Sequence, residues 1–170
     1  MKKIGEILIE HGCITSEQLE QALKEQKKTP DRLIGQILIN LGFVTEEDIV
    51  VALATQFNIP YLPVANVSLA EQETKLIPPE LVKKYICIPI DRVGHLLTVV
   101  MADPTDEEAI KELETVTKCK VHTFVSTVSE IISAIEKHLH IKMNSPTEPS
   151  EHISKVSFRS AVQQKTERLK

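Results

Sequence analysis

Tryptophan is absent and aromatic residues make up only 4% of the chain. The core must therefore be built from isoleucine, leucine and valine rather than from large rings. Basic residues do not dominate either: 20 Lys and Arg stand against 24 Asp and Glu, a net charge of −4. That balance argues against a nucleic-acid binder, whose non-specific affinity comes from a basic surface. The three cysteines, Cys13, Cys87 and Cys119, are far apart and show no CxxC spacing. An odd set in apolar surroundings points to buried, reduced thiols in a cytosolic compartment. No apolar run is long enough to span a membrane. Met1-Lys2-Lys3 has the charge of a signal peptide, but Gly5, Glu6, Glu10 and His11 interrupt the stretch behind it, and no signal peptide is expected. Of the five glycines none stands in a GxxxxGK[ST] loop, and HExxH, GxSxG and a Cys–His nucleophile grouping are all missing. No catalytic activity, cofactor or metal is expected.

What is present is a repeat. Shifting the sequence by thirty residues lays Ile4–Gln26 on Ile34–Gln56, and 11 of the 23 aligned positions are identical. They are Ile4/Ile34, Gly5/Gly35, Ile7/Ile37, Leu8/Leu38, Ile9/Ile39, Gly12/Gly42, Thr15/Thr45, Glu17/Glu47, Ala22/Ala52, Leu23/Leu53 and Gln26/Gln56. Ordinary composition gives roughly one or two by chance, so the match is an internal duplication. Each copy reads as two helices. The first runs to Gly12 or Gly42, placed where a left-handed residue ends a helix. Thr15 and Thr45 are N-caps, with Gln18 and the weaker partner Asp48 three residues on. The second helix carries Leu19, Ala22, Leu23 and Gln26, or Ile49, Ala52, Leu53 and Gln56, on one face. The segment 27–31, with Pro30, links the copies.

Two pairs have two readings each. Gly5 and Gly35 permit either close helix packing or the approach of a ligand to the backbone. Gln26 and Gln56 are either half-exposed helix ends or amide donors and acceptors for a nucleotide.

These residues carry a family resemblance. Lys3-Ile4-Gly5, Ile7-Leu8, Gly12, Ile14, Leu19, Leu23 and Gln26, then Leu33-Ile34-Gly35, Ile37-Leu38, Gly42, Val44, Ile49, Leu53 and Gln56, resemble the two tandem motifs of the MshEN-type, cyclic di-GMP-binding amino-terminal module of type II secretion and type IV pilus assembly ATPases. Phe57–Tyr61 is similar to the exit from that module, and Ala102–Asp106 to the α/β domain that follows it, so the resemblance spans residues 1–140. It implies one elongated cyclic di-GMP site shared by the copies. The first would supply Lys3, Ile4, Gly5, Gly12, Leu19, Leu23 and Gln26; the second Arg32, Leu33, Ile34, Gly35, Gly42, Ile49, Leu53 and Gln56. Backbone amides near a helix start can meet phosphate oxygens, and apolar faces can stack on guanine. The chain departs from the family at the motif arginines. Lys3 replaces the first and lacks its planar fork. Leu33 replaces the second, with Arg32 one residue earlier.

The expected fold is α+β: a duplicated helix–turn–helix bundle at residues 1–60, a small α/β sandwich of about three strands at residues 61–142, and a tail of linker composition at residues 143–170. Within the sandwich, Ser68 and Glu71 form a capping-box pattern, Pro78-Pro79 opens a short helix, and Tyr85–Asp91 and Leu96–Met101 read as strands joined at Val93-Gly94-His95. A helix capped by Thr105, a strand at Lys120–Val125 and a helix opened by Thr127 complete a β-β-α-β-α order. The acids Asp103, Asp106, Glu107 and Glu108 read as turn and helix-start residues, and His138 and His140 as a solvated helix end.

Two function classes follow. One is a cytoplasmic, non-catalytic regulatory module that senses cyclic di-GMP for a secretion or pilus system, held at the inner membrane through a partner. The other is a docking adaptor, with a vestigial nucleotide site, for inner-membrane platform proteins or the motor ATPase. In either class the chain is a stand-alone protein or the amino-terminal part of a longer ATPase. A DNA-binding helix–turn–helix fits poorly with the acidic balance.

Overall fold

The computed structural model describes residues 2–143, which form two compact units, residues 2–59 and residues 60–143. The tail expected after Met143 lies outside the described residues.

The first unit holds four helices: α1 (Ile4–Glu10), α2 (Ser16–Lys28), α3 (Ile34–Asn40) and α4 (Glu46–Phe57). Each boundary has a local cause that recurs thirty residues later. Lys3 and Leu33 precede α1 and α3 in extended backbone and offer no side-chain acceptor. The reverse bond fixes these starts: the Lys3 N–H donates to Glu6 at 2.9 Å and the Leu33 N–H to Gln36 at 3.0 Å. Gly12 at φ +72° and Gly42 at φ +74° then close Schellman turns. Gly12 N–H donates to the Ile9 carbonyl and Cys13 N–H to Leu8, both at 2.9 Å; Gly42 and Phe43 repeat this on Ile39 and Leu38 at 2.9 and 3.0 Å. Thr15 and Thr45 cap α2 and α4 as expected. Asp48 closes its box as fully as Gln18 does, accepting from the Thr45 N–H at 2.8 Å while Thr45 Oγ1 accepts from the Asp48 N–H at 3.2 Å.

The copies exchange partners: α1 packs on α4, and α2 on α3. One core results, drawn from Ile7, Leu8, Ile14 and Ala22 of the first copy and Ile37, Leu38, Val44, Ile49 and Ala52 of the second. Leu8 and Leu38 are fully buried, each contributing about 1.5–3 kcal/mol by leaving water. Neither copy could bury this face alone, which is why the duplication is one folding unit.

The second unit carries a three-stranded mixed sheet in the order β1-β2-β3. β1 (Cys87–Val93) and β2 (Leu96–Met101) form an antiparallel hairpin, turned at Gly94 with φ +61°. β2 and β3 (Lys120–Val125) are parallel, which requires a crossover; α7 (Glu107–Thr117), numbered after α5 (Glu71–Thr74) and α6 (Pro79–Tyr85), supplies it. α8 (Val128–Leu139) follows β3. Ile88, Leu97, Val99, Met101, Leu113 and Ile131 are among the residues that close the core.

Both sheet edges are blunted. Pro89, next to the register shift at Pro89/Asp91, removes a donor from the β1 edge. On β3, the Val121 N–H donates to Glu114 Oε1 at 3.0 Å, and Val125 exchanges bonds with Pro60 and Leu62 at 3.0 and 2.9 Å. Partnered edges of this kind resist strand addition.

Three local expectations are corrected. β1 starts at Cys87, not Tyr85, because α6 runs through Tyr85 and Ile86 breaks it at φ +46°. Asp106, not Thr105, caps α7, accepting from the Ala109 N–H at 3.0 Å; Thr105 is already held by Asp103, to which its N–H donates at 3.0 Å. Ser68 caps nothing, and α5 follows Ala70 without a side-chain cap.

Candidate functional site

The candidate site lies on the repeat, and packing sorts its residues into three groups. Gly5, Gly35 and Ile49 are buried; Ile49 is 1% exposed and presents no surface to a solute. Ile4, Leu19, Gln26, Leu33, Ile34, Leu53 and Gln56 are half-buried. Lys3, Gly12, Leu23, Arg32 and Gly42 are exposed, Leu23 at 44%. Gly12 and Gly42 need no ligand to explain them, since the Schellman turns require their positive φ.

The structure joins some of these residues in pairs. A Cβ on Gly5 would lie 2.7 Å from Leu19 Cδ1 and 2.9 Å from Cδ2, so glycine is what lets α1 sit against that leucine. The packing reading therefore accounts for Gly5. It does not account for Gly35, where a Cβ would meet Ile49 Cδ1 and Cγ2 at 3.4 Å, an ordinary contact. Gln26 Nε2 donates to the Arg32 carbonyl at 3.1 Å. The Gln56 side chain makes no hydrogen bond among the described residues.

The cations are distributed unequally. Lys3 stands directly at the start of α1, and its ammonium forms no ion pair among the described residues. At the start of α3 that position is Leu33. Arg32 lies one residue before it, its guanidinium likewise unpaired among the described residues. Leu33 is extended, at φ −73° and ψ 146°. Neighbours in extended chain point to opposite sides, so Arg32 does not simply take Leu33's place.

Three features escaped the sequence reading. Gln36 is 6% exposed, a buried polar side chain held by its bond to the Leu33 N–H. Its place three residues after the cap, matching Glu6, was the available signal. Cys13 is half-exposed rather than buried, and its Sγ lies 4.0 Å from Asp48 Oδ1 of the other copy. Partial burial, and then the Asp48 charge, push this thiol's pKa up. In the second unit Glu112 accepts from the Tyr85 hydroxyl and sits 3.0 Å from Lys84 Nζ, so its carboxyl titrates below the usual range. This cluster ties α6 to α7. Among the described residues no His, Cys, Asp or Glu group is placed to hold a metal, and no helix is long and apolar enough to cross a membrane.

The MshEN domain family matches residues 57–145. The chain belongs to that family. The family match falls on the second unit, whereas the ligand module was expected over residues 1–60; pairwise likenesses carry the relationship into the repeat. The type IV pilus assembly ATPase PilB of Myxococcus xanthus is 30% identical over 136 residues, 80% of this chain. PilB of Thermus thermophilus is 26% identical over 139 residues, 81% of this chain. The chain spans only 24% and 16% of the length of these relatives. A solved structure of MshE with cdg matches at a TM-score of 0.67 and 27% identity, covering 81% of this chain and 99% of that one. The N-terminal domain of XpsE shares the fold, at a TM-score of 0.56 and 23% identity over 81% of this chain and 98% of that one. The chain is thus homologous to part of the type IV pilus assembly ATPase PilB.

Proposed function

We propose that this MshEN chain is a non-catalytic regulatory module of a type IV pilus or type II secretion ATPase system, and that it binds cyclic di-GMP across its two repeats. The observation that carries this reading is the likeness to MshE solved with cdg, over 99% of that chain. Lys3, Ile4, Leu19, Leu23, Ile34, Leu53 and Gln56 supply the ligand-facing side chains, and the backbone near Gly5 and Gly35 meets phosphate at the starts of α1 and α3. Ile49 acts from beneath, by shaping the surface. The module works in the cytoplasm and reaches the inner membrane through a partner. Binding regulates the motor only if the ligand favours one arrangement of the module over another.

Isothermal titration of the folded chain with cyclic di-GMP tests the reading. Saturable heat at micromolar protein is expected, and its absence from a correctly folded sample would refute it. ATP hydrolysis by this chain alone is expected to stay at background.

Leu33 favours a second reading. Without the motif arginine, the start of α3 has no cation at its cap, as expected of a vestigial site on a docking adaptor. The partners would then be cytoplasmic domains of inner-membrane platform proteins, or the motor ATPase. A pull-down against those domains, from a chain that shows no heat with cyclic di-GMP, selects this alternative.

A further inference from the structure

The second unit holds a cavity of its own. It measures about 360 Å³ and lies between α5 and the turn of the β1–β2 hairpin, lined by Gln72, Glu73, Leu76, Arg92 and Gly94. That volume is at the small end of ligand sites, which run from about 300 to 1,000 Å³. Its two charged residues are held by different elements. The Glu73 N–H donates to the Ala70 carbonyl at 3.2 Å, and the Glu73 carbonyl accepts from the Leu76 N–H at 3.1 Å, so the backbone of the α5 turn is fixed on both sides of it. Arg92 pairs with the buried Leu97 across the hairpin. Its Nε donates to the Gly94 carbonyl at 2.9 Å, which ties the guanidinium to the hairpin turn.

Neither charge is answered. Glu73 Oε2 is buried and has no hydrogen-bond partner among the described residues, a state that costs stability until a donor approaches the carboxylate. Arg92 forms no ion pair among the described residues, with Glu73 or with any other acid. Its outer nitrogens keep a planar fork that suits a carboxylate. A simple anion entering the cavity is repelled by Glu73, and a simple cation by Arg92. A zwitterion satisfies both. We propose that this cavity binds a small zwitterionic amino acid, with its carboxylate on Arg92, its ammonium on Glu73 and its carbon chain against Leu76. The inference is independent of the cyclic di-GMP reading, since every lining residue belongs to the second unit.

NMR titration of the isotope-labelled full chain tests it. The probes are glycine, β-alanine and γ-aminobutyrate, which set the two charges progressively further apart. Acetate and methylammonium, at matched ionic strength, are single-charge controls. At least one zwitterion is expected to shift the amides of residues 72–76 and 92–94 and to saturate in the low-millimolar range or below. Each control is expected to bind at least about tenfold more weakly. Arg92→Gln and Glu73→Gln each remove one charge and should weaken that zwitterion about tenfold or more, while the amides of the rest of the chain stay those of the folded protein. No saturation by any of the three zwitterions at about 10 mM overturns the proposal. So does a single-charge control that binds as well as the zwitterions, or unchanged affinity in either variant.

Discussion

The two copies of the repeat share a scaffold and differ at positions outside their common core. Glycine closes both first helices, threonine caps both second helices, and leucine and alanine fill equivalent core positions. On the face of the second helix away from that core the copies diverge. α2 presents Glu20, Gln21 and Lys24 to solvent; the matching residues of α4 are Val50, Val51 and Ala54, with Val50 and Ala54 at only 7% and 5% exposure. The starts of the first helices diverge too, with Lys3 in one copy and Leu33 in the other. The duplication thus preserves the turns, caps and shared core, and lets other positions change, some of them exposed in one copy and buried in the other. Backbone and core dictate scaffold residues tightly, whereas an exposed position is constrained only by what it touches.

Core truncation should have the largest effect and should not tell the copies apart. Leu8→Ala and Leu38→Ala are each expected to cost about 2–5 kcal/mol in chemical denaturation, and to agree within about 1 kcal/mol because each leucine is fully buried in the shared core. A clear disagreement would mean that the copies are not equivalent as scaffold.

The caps come next. Thr15→Ala and Thr45→Ala should each lower stability by about 1 kcal/mol, since both boxes are closed. If Thr45→Ala proved harmless, the Asp48 partner would be weaker than its geometry indicates.

The glycines should separate the copies. Gly5→Ala drives a Cβ against the Leu19 methyls at 2.7 Å, and a loss of about 1 kcal/mol is expected, moderated because Leu19 is half-buried and able to shift. Gly35→Ala has room, and should be neutral or gain up to about 1 kcal/mol in helix preference. If ligand approaches the backbone there, the same variant should bind cyclic di-GMP more weakly. Calorimetric stability and titration of one sample read both effects.

The smallest effect concerns the thiol between the copies. Burial and the Asp48 charge both raise the Cys13 pKa, so less thiolate is present at mildly alkaline pH than in an open peptide. Asp48→Asn removes the charge and should modestly speed alkylation of Cys13. Cys87, pushed up to about 12 by burial, should stay the slower of the two in both proteins.

Much of this fold was legible because its signals are local. The positive φ of Gly12 and Gly42 and the caps of α2 and α4 depend on a few neighbouring residues. The second unit misled where two local options competed: Asp103 took Thr105 for its own turn and left Asp106 to cap α7, and Ile86 broke α6 in a left-handed conformation that no β-branched side chain advertises. The candidate site was less legible. Spacing placed Leu19 and Ile49 in the same role, but only packing shows that Ile49 is closed to solvent. Nor could spacing show that Gln26 is engaged with Arg32 while Gln56 is free.

The shared site is tested most directly by titrating the isotope-labelled chain with cyclic di-GMP and following the backbone amides of both helix starts by NMR. One ligand spanning both copies predicts that the Gly5 and Gly35 amides shift together and saturate at one equivalent. No shift at either glycine, or a shift confined to one copy, would contradict it.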